Sequence, residues 1–270
     1  MSCSFKSCGV ITITTDFGHR GPFVGTMKGV ILNRFPAAKL IDLTHEAYVH
    51  WPAEAGFWLE RSFRYFPIGT THLAVVDPGV GTNRSMLLVI GEGHVFLAPD
   101  NGLLAGVIEA LDTVVIRIDE DKLAGIALPS VSATFHGRDI FAPLAGALAA
   151  GQVLPTELGE ATEDYIPSLI DPPDIRGGEL HGIVITADNF GNLITNIDAA
   201  ELKPYAEPFV QAGGHDIPLR RTYADVAPGE LLALVNSFQV VEIARSEQSA
   251  AAFLGVGRGA PVVVHDGAKS

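Results

Sequence analysis

Residues 77–84 read Asp-Pro-Gly-Val-Gly-Thr-Asn-Arg, a carboxylate at one end and a guanidinium at the other. Apolar runs flank them, Leu73–Val76 before and Met86–Ile90 after, and both predict strands. Pro78 lacks a backbone donor and fixes φ, while Gly79 and Gly81 permit tight or positive-φ geometry, so the chain must break into a sharp loop. Ligands of α/β proteins bind at the carboxyl ends of strands, which makes Asp77 and Arg84 candidates for chemistry. A turn closed by a surface salt bridge would have the same sequence. Asp16 closes another β-branched run, Val10–Thr15, and either serves a ligand hydroxyl or amine or caps the following helix. His136-Gly137-Arg138-Asp139 stands before an apolar stretch ending at Ala150. A glycine beside a histidine at a helix entrance exposes N–H groups to a ligand. The alternative is a capped helix with Arg138 and Asp139 paired on the surface.

The elements that position these residues follow from periodicity. Strands are predicted at Val10–Thr15, Lys39–Leu43, Leu73–Val76, Met86–Ile90, Gly91–Ala98 and Thr113–Ile118. Helices are predicted at Phe23–Phe35, His50–Tyr65 and Leu103–Leu111, and from the His136 segment to Ala150. Trp51, near a helix start, is the tryptophan better placed to face a ligand. His45-Glu46 has neither HxxxH spacing nor a cysteine cluster, so His45 reads as a structural, hydrogen-bonded residue. Asp100-Asn101-Gly102 is explained by turn chemistry alone. Residues 1–165 thus form an α/β domain with a central, mostly parallel sheet, and the proline-rich residues 166–178 a linker. Residues 179–270 change to short strands separated by turns and predict a smaller β-barrel-like domain. Its polar turns Asp188-Asn189-Phe190-Gly191-Asn192 and Asn236-Ser237-Phe238 are compatible with ordinary hairpins.

Bulk properties narrow the function. Lys+Arg 18 against Asp+Glu 31 gives a net charge of −13, which disfavours nucleic acid and anionic membrane as partners. Cys3 and Cys8 form neither a disulfide framework nor a metal knuckle, and a reducing cytoplasm fits them. The opening MSCSFKSCGV has no signal-peptide pattern, and no apolar run approaches a membrane span.

Seven segments, taken together and in order, resemble one family. They are TTDFG (Thr14–Gly18), GTMKGVI (Gly25–Ile31), VVDPGVGTNR (Val75–Arg84), APDNG (Ala98–Gly102), TFHGRDIFAP (Thr134–Pro143), DNFGNLITN (Asp188–Asn196) and NSF (Asn236–Phe238). The family is that of the S-adenosyl-L-methionine hydroxide adenosyltransferases, relatives of the fluorinating and chlorinating adenosyl enzymes. The resemblance implies an α/β N-terminal domain, a β-rich C-terminal domain and a homotrimer with active sites at subunit interfaces. It also implies cleavage of S-adenosyl-L-methionine by water into adenosine and L-methionine, with no metal and no cofactor. The family's water-handling trio falls on Asp77, Arg84 and His136, and its ribose-binding aspartate on Asp16. Trp51 matches an aromatic beside the sugar. Asp188 and Asn192 match residues that contact methionine and adenine groups, Phe190 an adenine neighbour and Ser237 a contact to the methionine carboxylate. The halogenating relatives carry tyrosine at position 77 and serine at position 137; Asp77 and Gly137 follow the water-using pattern. Ser85 replaces a frequent second arginine, and Phe238 replaces an arginine of the halogenating relatives. Halide transfer to a 5′-halo-adenosine, and non-catalytic binding of an adenosyl ligand, are the competing readings.

Overall fold

The computed structural model describes residues 5–267, so Cys3 lies outside the described residues and Cys8 is an exposed free thiol. The chain divides into two compact units, Met1–Ile170 and Asp171–Ser270.

The first unit is built on a seven-stranded sheet of β1 (Val10–Thr15), β2 (Lys39–Thr44), β3 (Thr71–Val75), β4 (Met86–Gly91), β5 (His94–Pro99), β6 (Thr113–Ile118) and β7 (Gly159–Ala161), in spatial order β2-β1-β3-β5-β4-β6-β7. The first four in that order are parallel, and β4, β6 and β7 pair antiparallel. β1, β3, β4 and β5 are buried at every position, as their unbroken apolar and β-branched runs require. Successive residues feed opposite faces. Leu73, Val75, Leu88 and Ile90 pack with α1 (Phe23–Arg34) and α4 (Ala142–Ala149), whereas Ala74, Val76, Leu87 and Val89 pack with α2 (Pro52–Ser62) and α3 (Ala105–Ala110). The segment predicted as one strand over Gly91–Ala98 is the second arm of a hairpin with β4. Glu92 and Gly93 both have positive φ, the geometry of a tight two-residue turn between β4 and β5.

One topological detail governs the candidate chemistry. β5 lies between β3 and β4, so the chain leaving β3 must cross the carboxyl end of β5 before it descends as β4. That crossing is the loop containing Asp77 and Arg84. β1 is parallel to β3 with Thr15 opposite Val75, so Asp16 and Asp77 leave neighbouring strands at the same end of the sheet.

The second unit is an antiparallel sheet of β8 (Asp174–Arg176), β9 (Glu179–Ala187), β10 (Leu193–Asp198), β11 (Pro208–Ala212), β12 (His215–Pro218), β13 (Leu231–Val235), β14 (Val240–Arg245) and β15 (Pro261–Asp266), with one short helix, α5 (Ala250–Leu254). Its main path runs β12-β11-β15-β9-β10-β14-β13, with β8 on β9. A bridge between Leu219 and Ala233, with Arg220 N–H donating to the Ala233 carbonyl at 2.7 Å, draws the two ends together into a nearly closed barrel. Val184, Leu193, Val210, Ile217, Ile243 and Val264 fill its interior. Inside the proline-rich segment, β8 pairs with β9 and Ile166 N–H donates to Asp100 Oδ1 at 2.9 Å, so this stretch has local backbone partners despite its composition.

Candidate active site

The loop after β3 turns twice. Val80 N–H donates to the Asp77 carbonyl at 3.2 Å, then Thr82 N–H and Thr82 Oγ1 to the Gly79 carbonyl at 3.1 and 2.7 Å. These turns bring Arg84 back onto Asp77. Arg84 Nε donates to Asp77 Oδ1 at 2.8 Å and Oδ2 at 2.9 Å, and Nη2 also donates to Oδ2. The side chains of Arg84 and Asp77 are 10% and 5% exposed, so this is a largely buried pair and not a surface salt bridge. The Arg84 guanidinium also lies over the Phe141 ring, 5.5 Å from its centroid.

His136 joins the pair. Its Nδ1 lies 3.2 Å from Arg84 Nη2. A guanidinium only donates, so Nδ1 accepts and the neutral imidazole carries its proton on Nε2. Burial and then the Arg84 charge hold His136 below the ordinary histidine range. The structure therefore brings Asp77, Arg84 and His136 together, although sequence separates the first two from the third by half a hundred residues.

Two devices make that meeting possible. Gly81 has φ +79°, and a Cβ there would lie 2.3 Å from the Ala133 carbonyl oxygen; only glycine lets this loop rest against the segment leading to His136. Beyond His136 the helix begins with a wide turn, Gly137–Phe141, in which Ala142 N–H reaches the Gly137 carbonyl five residues back. Such wide turns recur at functional sites. Asp139 is fully buried, so the sequence-based alternative of a surface pair fails. It accepts Arg138 Nε at 2.5 Å, Arg138 Nη2 at 3.1 Å and Ser132 N–H at 2.8 Å. Burial opposes its charge, but these donors prevail and keep its pKa below the usual carboxylate range. Gly137 is crowded: a Cβ would lie 3.3 Å from the Phe135 ring and 3.4 Å from both Met27 Sδ and Val75 Cγ1.

A cavity of about 480 Å³ opens in front of Asp77 and His136. Its other walls include Phe17, Phe23, Phe135 and Val80. The three phenylalanines meet edge to face with centroids 5.6–6.2 Å apart.

Asp16 and Trp51 form a second group at the same end of the sheet. Asp16 Oδ2 accepts His50 N–H at 2.9 Å, and His50 holds φ +62° as the chain turns into α2. The helix starts at Pro52, so Trp51 is its cap and not its second residue. The Trp51 ring meets Tyr48 edge on at 6.1 Å. Neither Asp16 nor Trp51 lines the cavity at Asp77. His45 is buried, with Thr15 Oγ1 2.8 Å from Nδ1 and Asp42 Oδ1 3.0 Å from Nε2, the structural histidine its sequence context suggests.

Asn101 has a second task beyond the turn chemistry its sequence declares. Its Nδ2 donates to the Val76 carbonyl at 2.8 Å, while Asp100 N–H donates to the Ser85 carbonyl at 3.0 Å. Both ends of the Asp77–Arg84 loop are thereby tied to the end of β5. The signal was the APDNG segment standing directly after a strand that the loop has to cross.

The second unit holds the other candidates. Asp188 Oδ1 accepts Phe190 N–H at 2.8 Å and Asn192 N–H at 2.9 Å, and Oδ2 accepts Asn192 Nδ2 at 3.0 Å. One turn thus collects Asp188, Phe190 and Asn192, with the Phe190 ring 77% exposed. Ser237 is exposed on a different turn, between β13 and β14. Among the described residues, no group of three or more His, Cys, Asp or Glu side chains could hold a metal ion, and no helix is long and apolar enough to cross a membrane.

Comparison with known proteins decides the family. Residues 11–159 match the SAM hydroxide adenosyltransferase N-terminal domain and residues 182–263 match the C-terminal domain. The chain belongs to the SAM hydroxide adenosyltransferase family. Among similar members, the (R)-S-adenosyl-L-methionine hydrolase of Thermus thermophilus is 36% identical over 92% of this chain and 96% of its own. That of Salinispora tropica is 37% identical over 91% and 94%. A fluorinase from an Actinoplanes species is more distant, 28% identical over 88% and 91%. A crystal structure of a Thermotoga maritima protein superposes with a TM-score of 0.87 at 32% identity, covering 94% of this chain and 99% of that one.

Proposed function

We propose that this SAM hydroxide adenosyltransferase cleaves S-adenosyl-L-methionine with water, forming adenosine and L-methionine. The observation that carries the reading is that a carboxylate and a neutral imidazole line one cavity while a largely buried guanidinium bonds to both. C5′ of the substrate bears a sulfonium, so the leaving group needs no further activation, and what the protein must supply is an aligned, deprotonated water in a site screened from bulk solvent. The Asp16 carboxylate holds the ribose hydroxyls and fixes the line of attack, with Trp51 beside the sugar.

The tautomer of His136 divides the work within the trio. Its Nδ1 is occupied by Arg84, so Nε2–H donates to the water and orients a lone pair toward C5′. The proton of the attacking water passes to the remaining acceptor, the Asp77 carboxylate. The positive charge of Arg84 favours the hydroxide-like oxygen as it forms. The C5′–O bond forms as the C5′–S bond breaks, the electron pair leaves on the methionine sulfur, and Asp77 returns its proton to solvent.

In this reading Asp188, Asn192, Phe190 and Ser237 receive the methionine and adenine groups, and the protein acts as a cytoplasmic homotrimer without added metal or cofactor. The order of the shared segments supports the contacts and the trimer, and the reducing environment that suits Cys3 and Cys8 supports the cytoplasm. Halide transfer is disfavoured because an anion would have to settle beside the Asp77 carboxylate, and because Gly137 leaves little room for the serine of halogenating relatives.

The test is to incubate purified protein with each sulfur epimer of S-adenosyl-L-methionine in ¹⁸O-water, with and without chloride. The relatives' names specify the (R) form, so both epimers are needed. Adenosine labelled at the 5′-oxygen is expected. A 5′-chloro nucleoside, or tight binding without product, would overturn the proposal. Size-exclusion chromatography with light scattering checks the trimer.

A further inference from the structure

Glu242 is the most deeply buried carboxylate of the second unit, 4% exposed on β14, and the proposed chemistry does not use it. Its strand neighbours are Ile194 on β10 and Leu234 on β13. It faces away from the barrel interior, since Val241 and Ile243 on either side of it point into that core. Tyr223 OH donates to Oε1 at 2.5 Å and Asn236 Nδ2 donates to Oε2 at 3.2 Å. Among the described residues no arginine, lysine or histidine pairs with it. Burial and the nearby Asp188 charge push its pKa up, while burial and Glu242 itself push up that of Tyr223, which stays a donor.

A buried carboxylate without a cation is costly, and an apolar residue in its place would pack at less expense in free energy. Its bonds show what it does. Asn236 turns its amide nitrogen to Glu242 and its Oδ1 to the backbone of the β13–β14 turn, accepting Phe238 N–H at 2.9 Å and Val240 N–H at 3.3 Å. The acceptor at 242 thereby fixes which way the Asn236 amide faces, and the amide fixes the turn that carries Ser237. On the same side of the sheet, two residues before Ile194, stands Asn192, which is bonded to Asp188.

We propose that Glu242 is a positioning residue for substrate binding: through Asn236 it sets the Ser237 turn and keeps it in register with the Asp188–Asn192 turn. The inference rests on the reading of those turns as the methionine and adenine contacts. Its role is to accept hydrogen bonds, so its charge is dispensable and its acceptor geometry is not.

The experiment compares KM and kcat for adenosine formation in the full-length protein and in Glu242→Gln, Glu242→Ala, Asn236→Asp and the Asn236→Asp/Glu242→Gln double variant. Glu242→Gln is expected to keep KM within about threefold, and Glu242→Ala to raise it about tenfold or more with kcat nearly unchanged. Asn236→Asp sets two carboxylates against each other and is expected to raise KM by a similar factor. In the double variant the introduced amide donates to the introduced carboxylate, and KM is expected to return to within about threefold of wild type. This recovery, which a general loss of stability would not produce, decides the matter even where Glu242→Ala does not fold. A wild-type KM in Asn236→Asp, or no recovery in the double variant, would overturn the proposal. If the wild-type protein forms no adenosine, the proposed reaction is wrong, and the same comparison is made on the dissociation constant of S-adenosyl-L-methionine measured by calorimetry.

Discussion

Gly81→Ala tests the trio without touching any of its members. Two penalties follow from the structure. The φ of +79° places a non-glycine residue in left-handed backbone, at a cost of about 1–2 kcal/mol. The added methyl would sit 2.3 Å from the Ala133 carbonyl oxygen, about 1 Å inside ordinary contact, and both atoms are backbone or bonded to it. One of the two segments must therefore move by about 1 Å, and Ala133 is three residues from His136. A displacement of that size at a reacting centre costs about a hundredfold in rate. Gly79→Ala is the internal control: its φ is ordinary, and its added methyl would make only 3.6 Å contacts with Arg84 Cγ and Thr82 Oγ1. The assay is kcat for adenosine release by chromatography, with thermal melting alongside. Gly81→Ala should fall about a hundredfold in kcat at a stability cost of about 2–5 kcal/mol from backbone strain and overpacking together, and Gly79→Ala should stay within about fivefold. If the two variants behave alike, the close approach of the loops does not set the geometry of the trio, and the reasoning fails.

Arg84→Lys keeps a positive charge but loses the fork that bonds Asp77 and His136 together. We expect kcat to fall about a hundredfold or more, with partial loss of thermal stability because the buried carboxylate loses donors; retention of kcat within threefold would show that charge alone suffices. The acid limb of kcat/KM should lie below pH 6.5, since burial and Arg84 lower the pKa of His136 and its protonated form cannot accept from Arg84; a limb above that value in a pH–rate profile would contradict the assigned tautomer. His72 is fully buried between Thr12 Oγ1 at 2.7 Å and His94 Nδ1 at 3.0 Å, and burial followed by His94 lowers its pKa to about 3. Below pH 6.5 the unfolded chain binds this proton and the folded chain does not, so stability is full above pH 6.5 and is lost as pH falls toward about 3. From pH 6.5 to 5 this residue should cost about 2 kcal/mol in urea denaturation of the first unit, and a flat profile there would refute it. Asp16→Asn should raise KM for the substrate about tenfold while leaving the pH profile of kcat in place, checked by steady-state kinetics.

The strands with continuous apolar runs were legible because both faces of a mostly parallel sheet are buried. Val10–Thr15 and Thr113–Ile118 begin and end where the sequence places them. The short elements were not. His215–Pro218 has no apolar run, and Asp174–Arg176 sits among prolines; both are strands because a neighbour supplies hydrogen bonds, which periodicity does not reveal. The site divides the same way. Asp77 and Arg84 are close in sequence and declare a loop, whereas His136 joins them only through the fold. The tautomer of His136, the brace from Asn101 and the burial of Asp139 depend on three-dimensional neighbours and left no mark in local composition.

The crossing of β5 by the Asp77–Arg84 segment also bears on how this chain can vary. Surface loops ordinarily accept added or deleted residues. Here both abutments are pinned, Val76 by Asn101 and Ser85 by Asp100, and the span between them is fixed by two strand spacings. An inserted residue would either tear one anchor away or rotate Arg84 off its carboxylate. Length at this position is thus constrained in this chain, whereas exchanging a side chain within the loop leaves both anchors in place.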